Sequence, residues 1–322
     1  MNLMCKEMKT LLPSGGHNHK MDVFNPRRQK EKVVIVMGAT GTGKSRLSID
    51  LATHLGAEII NSDKMQVYKG LDIATNKITE EEQRGVPHHL LGILDPNADF
   101  TATDFCDETS LTIESILGRD RLPIIVGGSN SYIEALIDDY DYKFRSKYEC
   151  CFLCVNVSTP VLHSFVSKRV DKMVENGMVD EVREFFHPNA DYGKGIRRAI
   201  GVPEFDKYFR YGPFLDEETK ARLLEQAVEE IKNNNCKLAS RQLEKIQRLR
   251  NVKGWNLHPL DATEVFRKRG KKSDEAWEKF VYEPSAQIVR QFLYNYATAE
   301  VPANLGAMRV PMESAALAAA TH

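Results

Sequence analysis

Short apolar runs alternate with helical stripes along the first half of the chain. Residues 33–37 (VVIVM) form an unbroken β-branched-rich run, the pattern of a strand covered on both faces of a parallel sheet. Lys44–Leu55 follows with Leu47, Leu51 and Leu55 four apart on one helical face, and Gly56 supplies the stop. A second strand is predicted at 58–60, leading into Asn61-Ser62-Asp63. Thr79 with Glu82 reads as a capping box opening a short helix that Gly85 and Pro87 end. A helix over 103–117, a strand over Leu122–Val126 (LPIIV) and a strand over 151–157 complete the series. Such alternation predicts an α/β fold: a phosphate-loop NTPase-like parallel sheet flanked by helices. Beyond residue 159 the stripes lengthen to 161–186, 217–233 and 237–250, which predicts a smaller, mainly helical region.

These shifts divide the chain into an arm (1–31), an α/β core (32–159), a helical region completing the core and a substrate channel (160–300), and a tail (301–322) rich in alanine. The arm has more bases than acids but little serine, so it supports organelle targeting only weakly. Of 322 residues, 42% are hydrophobic and 28% charged, the balance of a soluble globular protein rather than a disordered or collagen-like one. No apolar stretch approaches the ~18 residues of a membrane span. The 44 bases and 45 acids nearly cancel, so the global charge signals neither nucleic acid nor membrane as a partner. Cys150, Cys151 and Cys154 fall in one strand pattern, where alternation sends Cys150 and Cys151 to opposite faces. They read as structural thiols, not a metal set or a disulfide framework.

Gly38-Ala39-Thr40-Gly41-Thr42-Gly43-Lys44-Ser45 fits GxxxxGK[ST] between a buried strand and an amphipathic helix. Its glycines let backbone N–H groups converge on an anion, and the helix adds its positive end. Lys44 brings an ammonium to the outer phosphates, and the Ser45 hydroxyl suits Mg²⁺. Asp63 ends the second strand at the sheet edge where ligands bind, as a candidate general base or metal ligand. No guanine-specifying NKxD is present; Asn76-Lys77-Ile78-Thr79 comes nearest. The strand at Leu122–Val126 ends in Gly127 rather than an acid, which disfavours a G protein or motor. A small-molecule kinase and a non-catalytic nucleotide-binding module stay open on these residues alone.

Residues 63–73 (DKMQVYKGLDI), 86–90 (VPHHL) and 127–132 (GGSNSY), with the phosphate loop, resemble the isopentenyltransferase family from about residue 32 to 250. That resemblance implies transfer of a dimethylallyl group from its diphosphate to the 6-amino nitrogen of adenine. The loop would then cradle the donor's diphosphate, with Lys44 and Mg²⁺ near Ser45 stabilising the leaving group. Asp63, with Ser62, would meet the adenine, and Asp63 would take its proton. Ser129 stands where bacterial members carry threonine, with phosphate or metal as its expected partner. Ser240-Arg241-Gln242 resembles the family's TRQ element, whose arginine reaches the donor phosphates. Arg198 matches another family element, without an assigned role. His88 and His89 read as a structural pair.

Lys237, Arg241, Lys245 and Arg248 recur on one helical face, and 237–253 holds six bases and one acid. Either this is a solvated face or it is a clamp on nucleotide phosphates. No cysteine follows Cys236, so the zinc finger of many eukaryotic tRNA-modifying members is not expected. Lys64 after the aspartate and Gln247-Arg248-Leu249 likewise resemble the plant adenylate branch, which uses free ATP, ADP or AMP and makes cytokinin precursors. The expected partners are therefore small molecules, with tRNA as the alternative acceptor. A monomer is expected, and a plastid location, with cytoplasm as the alternative, rests on the resemblance alone.

Overall fold

A computed structural model describes residues 30–294. The predicted arm falls outside them apart from its last two residues, of which Glu31 already begins a strand; the predicted tail at 301–322 falls outside them too. Six strands form one parallel sheet in the order β3-β2-β4-β1-β5-β6. They are β1 (Glu31–Gly38), β2 (Ala57–Asn61), β3 (His88–His89), β4 (Leu122–Val126), β5 (Tyr148–Asn156) and β6 (Leu257–Asp261). Alternation splits the core in two. Val33, Ile35 and Met37 meet Ile60, Ile125 and Phe152 on one face. Val34 and Val36 meet Ile59, Ile124 and Leu153 on the other.

The helices divide between these faces. Leu47 and Leu51 of α1 (Lys44–Leu55) join the second cluster, together with Trp277 of α11 (Lys271–Trp277) and Val289 of α12 (Glu283–Tyr294). The first cluster receives α3 (Ala102–Leu117) through Phe105 and Ile113, and α4 (Asn130–Asp138) through Ile133 and Leu136. The capping box at α2 (Glu80–Gln83) forms as predicted, and a second, Thr101 with Asp104, opens α3. The short α5 (Phe144–Lys147) leads into β5. Alternation also holds in β5: Cys150 packs toward the first face and Cys151 lies in the second. Burial pushes the thiol of Cys151 up to about 12 and that of Cys154 up to about 11, so both behave as neutral packing groups.

Three expectations beyond residue 159 are corrected. The stripe at 161–186 is two helices, α6 (Thr159–Glu175) and α7 (Met178–Phe185), because Gly177 turns left-handed at φ 97° between them. The stripes at 217–233 and 237–250 are one 35-residue helix, with α9 (Glu217–Asn251) following the short α8 (Asp206–Tyr211). The asparagines that look like a break are satisfied in place: Asn235 donates to the Ile231 carbonyl at 3.0 Å and Asn234 to Glu204 Oε1 at 2.8 Å. Strand β6 escapes the pattern reading because Pro259 interrupts it; it is an edge strand, paired with β5 alone among the described strands, where proline is tolerated. After it come α10 (Thr263–Arg267), α11 and α12.

Ile35 is fully buried in the central strand. Ile35→Ala is expected to cost ~2–5 kcal/mol through lost burial and a residual cavity. A lower urea midpoint at unchanged slope would register it.

Candidate active site

The carboxyl ends of β1, β2 and β4 converge on one cavity of about 960 Å³, whose wall includes Thr40, Lys44, Asp63, Gly128, Arg169 and Gln242. Parallel strands leave their ligand crevice at this edge. After β1 the chain curls around Lys44, whose Nζ donates to the Ala39 carbonyl at 2.6 Å. Gly43 caps α1 at φ 93°, and a side chain there would collide with the ring of Trp277 at 2.8 Å. Trp277 is itself fixed, its indole N–H donating to Asp50 Oδ2 at 2.8 Å, with the Arg46 guanidinium 4.6 Å from its ring centre.

Two cations sit at the inner end of this pocket, beside the glycine loop. Lys44 is buried, and its pKa falls to about 8, chiefly through burial; Asp63 opposes the fall and Arg169 adds to it. Arg169 reaches in from α6 and donates to Thr40 Oγ1 at 3.0 Å, while its Nε is shut from water with no partner. Burial lowers its pKa to about 10, so it stays charged at neutral pH. Buried charge of one sign without a paired acid is a standing attraction for an anion.

Asp63 is set in a turn. Its Oδ1 accepts the Met65 N–H at 3.0 Å, and its own N–H donates to Asn61 Oδ1 at 3.1 Å. Oδ2 faces Gly128, 3.7 Å from where a Cβ would stand. The neighbouring Ser62 hydroxyl is buried and makes no hydrogen bond. Beyond Asp63 lie Tyr68, whose buried hydroxyl makes no hydrogen bond of ordinary geometry, and Tyr132, which donates to the Phe100 carbonyl at 2.8 Å. Lys64 has its pKa lowered by burial first and then by the Arg198 and Lys245 charges, which puts three cations near one another on this side.

The structure sorts the predicted residues. Thr40, Gly41, Gly43, Lys44, Ser45 and Asp63 line the cavity, whereas Gly38, Ala39, Thr42 and Ser62 stand behind its wall. The Thr40 N–H is not free for phosphate, because it donates to Gln242 Oε1 at 2.7 Å. Ser129 is outside the wall, and its hydroxyl accepts the Lys64 N–H at 3.0 Å, bracing the aspartate turn. Arg241 is exposed on α9 and also outside it; helical phase turns Gln242 inward and its neighbour away. Lys237 and Lys245 are exposed and Arg248 pairs with Glu134, so none of the three touches this cavity. His89 is structural, bonded to Glu58 Oε2 at 2.7 Å beside Arg119, but His88 lines the cavity.

Around the glycine loop itself, Gln242, Arg169 and Trp277 went unpredicted. Gln242 is the most connected, since its Nε2 also donates to the Gly128 carbonyl at 2.9 Å. The Ser240-Arg241-Gln242 element carries its signal. No trio of His, Cys, Asp or Glu among the described residues could cage a metal. A lone Ser45 hydroxyl on the cavity wall nonetheless suits Mg²⁺, which takes few protein ligands and completes its shell from substrate phosphates and water.

The Lys44 ammonium carries its charge below about pH 8 and loses it above. Affinity for inorganic diphosphate is therefore expected to decline as pH rises through this range. Calorimetric titration from about pH 6 to about pH 10 checks it, and Lys44→Arg should flatten the decline, because arginine keeps its charge throughout.

Comparison with known proteins agrees with this geometry. Residues 66–148 and 141–248 match the IPP transferase family. The chain is 58% identical to the chloroplastic adenylate isopentenyltransferase 3 of Arabidopsis thaliana, over 92% of this chain and 90% of that one. It is 63% identical to the chloroplastic adenylate isopentenyltransferase 5 of the same plant (83% and 81% covered) and 52% identical to its mitochondrial adenylate isopentenyltransferase 7 (90% and 89%). Among solved structures, a eukaryotic dimethylallyltransferase acting on tRNA superposes with a TM-score of 0.68 at 25% identity, covering 83% of this chain and 80% of that one.

Proposed function

The chain belongs to the IPP transferase family, and from that premise we propose that it is an adenylate isopentenyltransferase. It transfers the dimethylallyl group of dimethylallyl diphosphate to the 6-amino nitrogen of ATP, ADP or AMP, the step that opens cytokinin synthesis. The observation that carries this reading is the pairing of an anion cradle with a carboxylate in one cavity. Lys44 and Arg169 face a departing anion, and Asp63 presents an oxygen that its own turn leaves free.

In the reaction the adenine amine attacks the allylic carbon. The carbon–oxygen bond breaks, its electron pair leaves with the diphosphate, and the proton on nitrogen passes to Asp63 Oδ2. Lys44, Arg169 and the N-terminal end of α1 stabilise the growing charge on the diphosphate. Ser62 stays behind the cavity wall, so of the pair Asp63 alone faces the adenine. Mg²⁺ held by Ser45 and the phosphates would add charge neutralisation at the leaving group. Buried walls around the loop keep water from an allylic centre with carbocation character.

The nucleotide's phosphates fit the other side of Asp63, where Lys64, Arg198 and Lys245 gather. Lys237 and Arg248 extend the same basic helix face. Relatives sharing 52–63% of residues carry the adenylate name, and two of the three are chloroplastic, which supports free nucleotides over tRNA and a plastid location.

Mass spectrometry of the product from ATP and dimethylallyl diphosphate tests the reading. A nucleotide heavier by one dimethylallyl group supports it, and modification of tRNA alone would overturn it. Asp63→Asn is expected to lower kcat by about 10²–10⁴-fold while diphosphate still binds. Lys245→Ala is expected to raise KM for ATP more than for AMP, since extra phosphates need extra cations. Parallel steady-state runs with the two nucleotides measure that difference.

A further inference from the structure

The cleft holds more positive charge than its inner cradle uses. Besides Lys44 and Arg169, its wall includes Lys168 on α6 and Lys268 and Arg269 in the turn between α10 and α11. That turn lies in Arg267-Lys268-Arg269-Gly270-Lys271-Lys272, five cations in six residues. Two other wall cations have acidic partners: Arg46 pairs with Asp274 at 3.0 Å and Arg267 with Glu264 at 2.8 Å. Lys168, Lys268 and Arg269 have none within 4.0 Å among the described residues. Asp63 is the only carboxylate among the described residues of the wall.

The turn is built, not loose. The Ser273 hydroxyl donates to the Val265 carbonyl at 2.9 Å, and the Ser273 N–H to the Gly270 carbonyl at 2.8 Å. Phe266 packs edge-on against Phe165 of α6 with ring centres 4.7 Å apart, clasping the turn to the helix that carries Lys168 and Arg169. Two elements distant in sequence thus bring like charges to one opening. A plain solvated face spreads its cations or pairs them with acids; here packing gathers them without a counter-charge.

We propose that Lys168, Lys268 and Arg269 form an outer anion station at the mouth of the cleft. It captures the donor's diphosphate before the cradle does and receives the product diphosphate on its way out. The identity of the donor rests on the adenylate isopentenyltransferase reading; capture of a diphosphate does not. Charge that lines a cleft raises on-rates by about 10–10³-fold, and salt screens the effect.

The chain has two tryptophans, Trp255 and Trp277. A Trp255→Phe background therefore leaves Trp277, against Gly43, as the fluorescent reporter of cradle occupancy. Stopped-flow mixing with inorganic diphosphate gives association and dissociation rates without any turnover. Lys268→Glu with Arg269→Glu is expected to slow association about tenfold or more and to flatten its dependence on salt, with little change in dissociation. Lys268→Ala with Arg269→Ala should shift the same quantities less, and it stands in if the reversed pair misfolds. Lys143→Glu with Lys147→Glu, at the opposite edge of the sheet, should keep the wild-type rate. Wild-type association and salt slope in the alanine pair would overturn the station, as would an equal loss in the distant pair. A wild-type protein that captures diphosphate normally but prenylates no nucleotide would sink the assigned reaction and leave the station standing.

Discussion

One carboxamide ties the site together. Gln242 accepts the Thr40 N–H with its oxygen and donates to the Gly128 carbonyl with its nitrogen, at 2.7 and 2.9 Å. It thereby joins the phosphate loop after β1, the glycine pair after β4 and the long helix α9. Each partner is a backbone group that would be costly to leave unpaired once buried. The helix cannot slide along the sheet without breaking both bonds, so the two glycine loops are held in register with α9.

Around that brace the electrostatics are deliberately one-sided. Lys44 and Arg169 are held in a pocket whose wall supplies Asp63 as its carboxylate. Burial makes both cations less comfortable than in water, and a multiply charged anion relieves what the fold imposes. The cations and the carboxylate are thus held at separate points of one cavity before any ligand arrives.

How far this was legible depended on sequence separation. The phosphate loop, its flanking strand and helix, and the aspartate turn are local patterns, and each formed where the residues implied. Gln242 and Arg169 act on Thr40 from 202 and 129 positions away, a distance over which periodicity carries no information. Arg241 looked the better phosphate ligand on charge, yet one step around the helix puts it in solvent. Ser129 stood in the expected motif but braces a backbone N–H rather than the cleft. Pro259 hid the sixth strand, because proline's local cost is visible in a sequence and an edge position is not.

Trp277 closes over Gly43, so the anion cradle is finished by a residue far downstream of the loop it covers. During synthesis the glycine loop leaves the ribosome early, while its lid emerges only after most of the chain. A chain still being made, or threaded unfolded through an organelle envelope, lacks that wall. The cavity around the glycine loop thus reaches its final shape only when the last helices have folded.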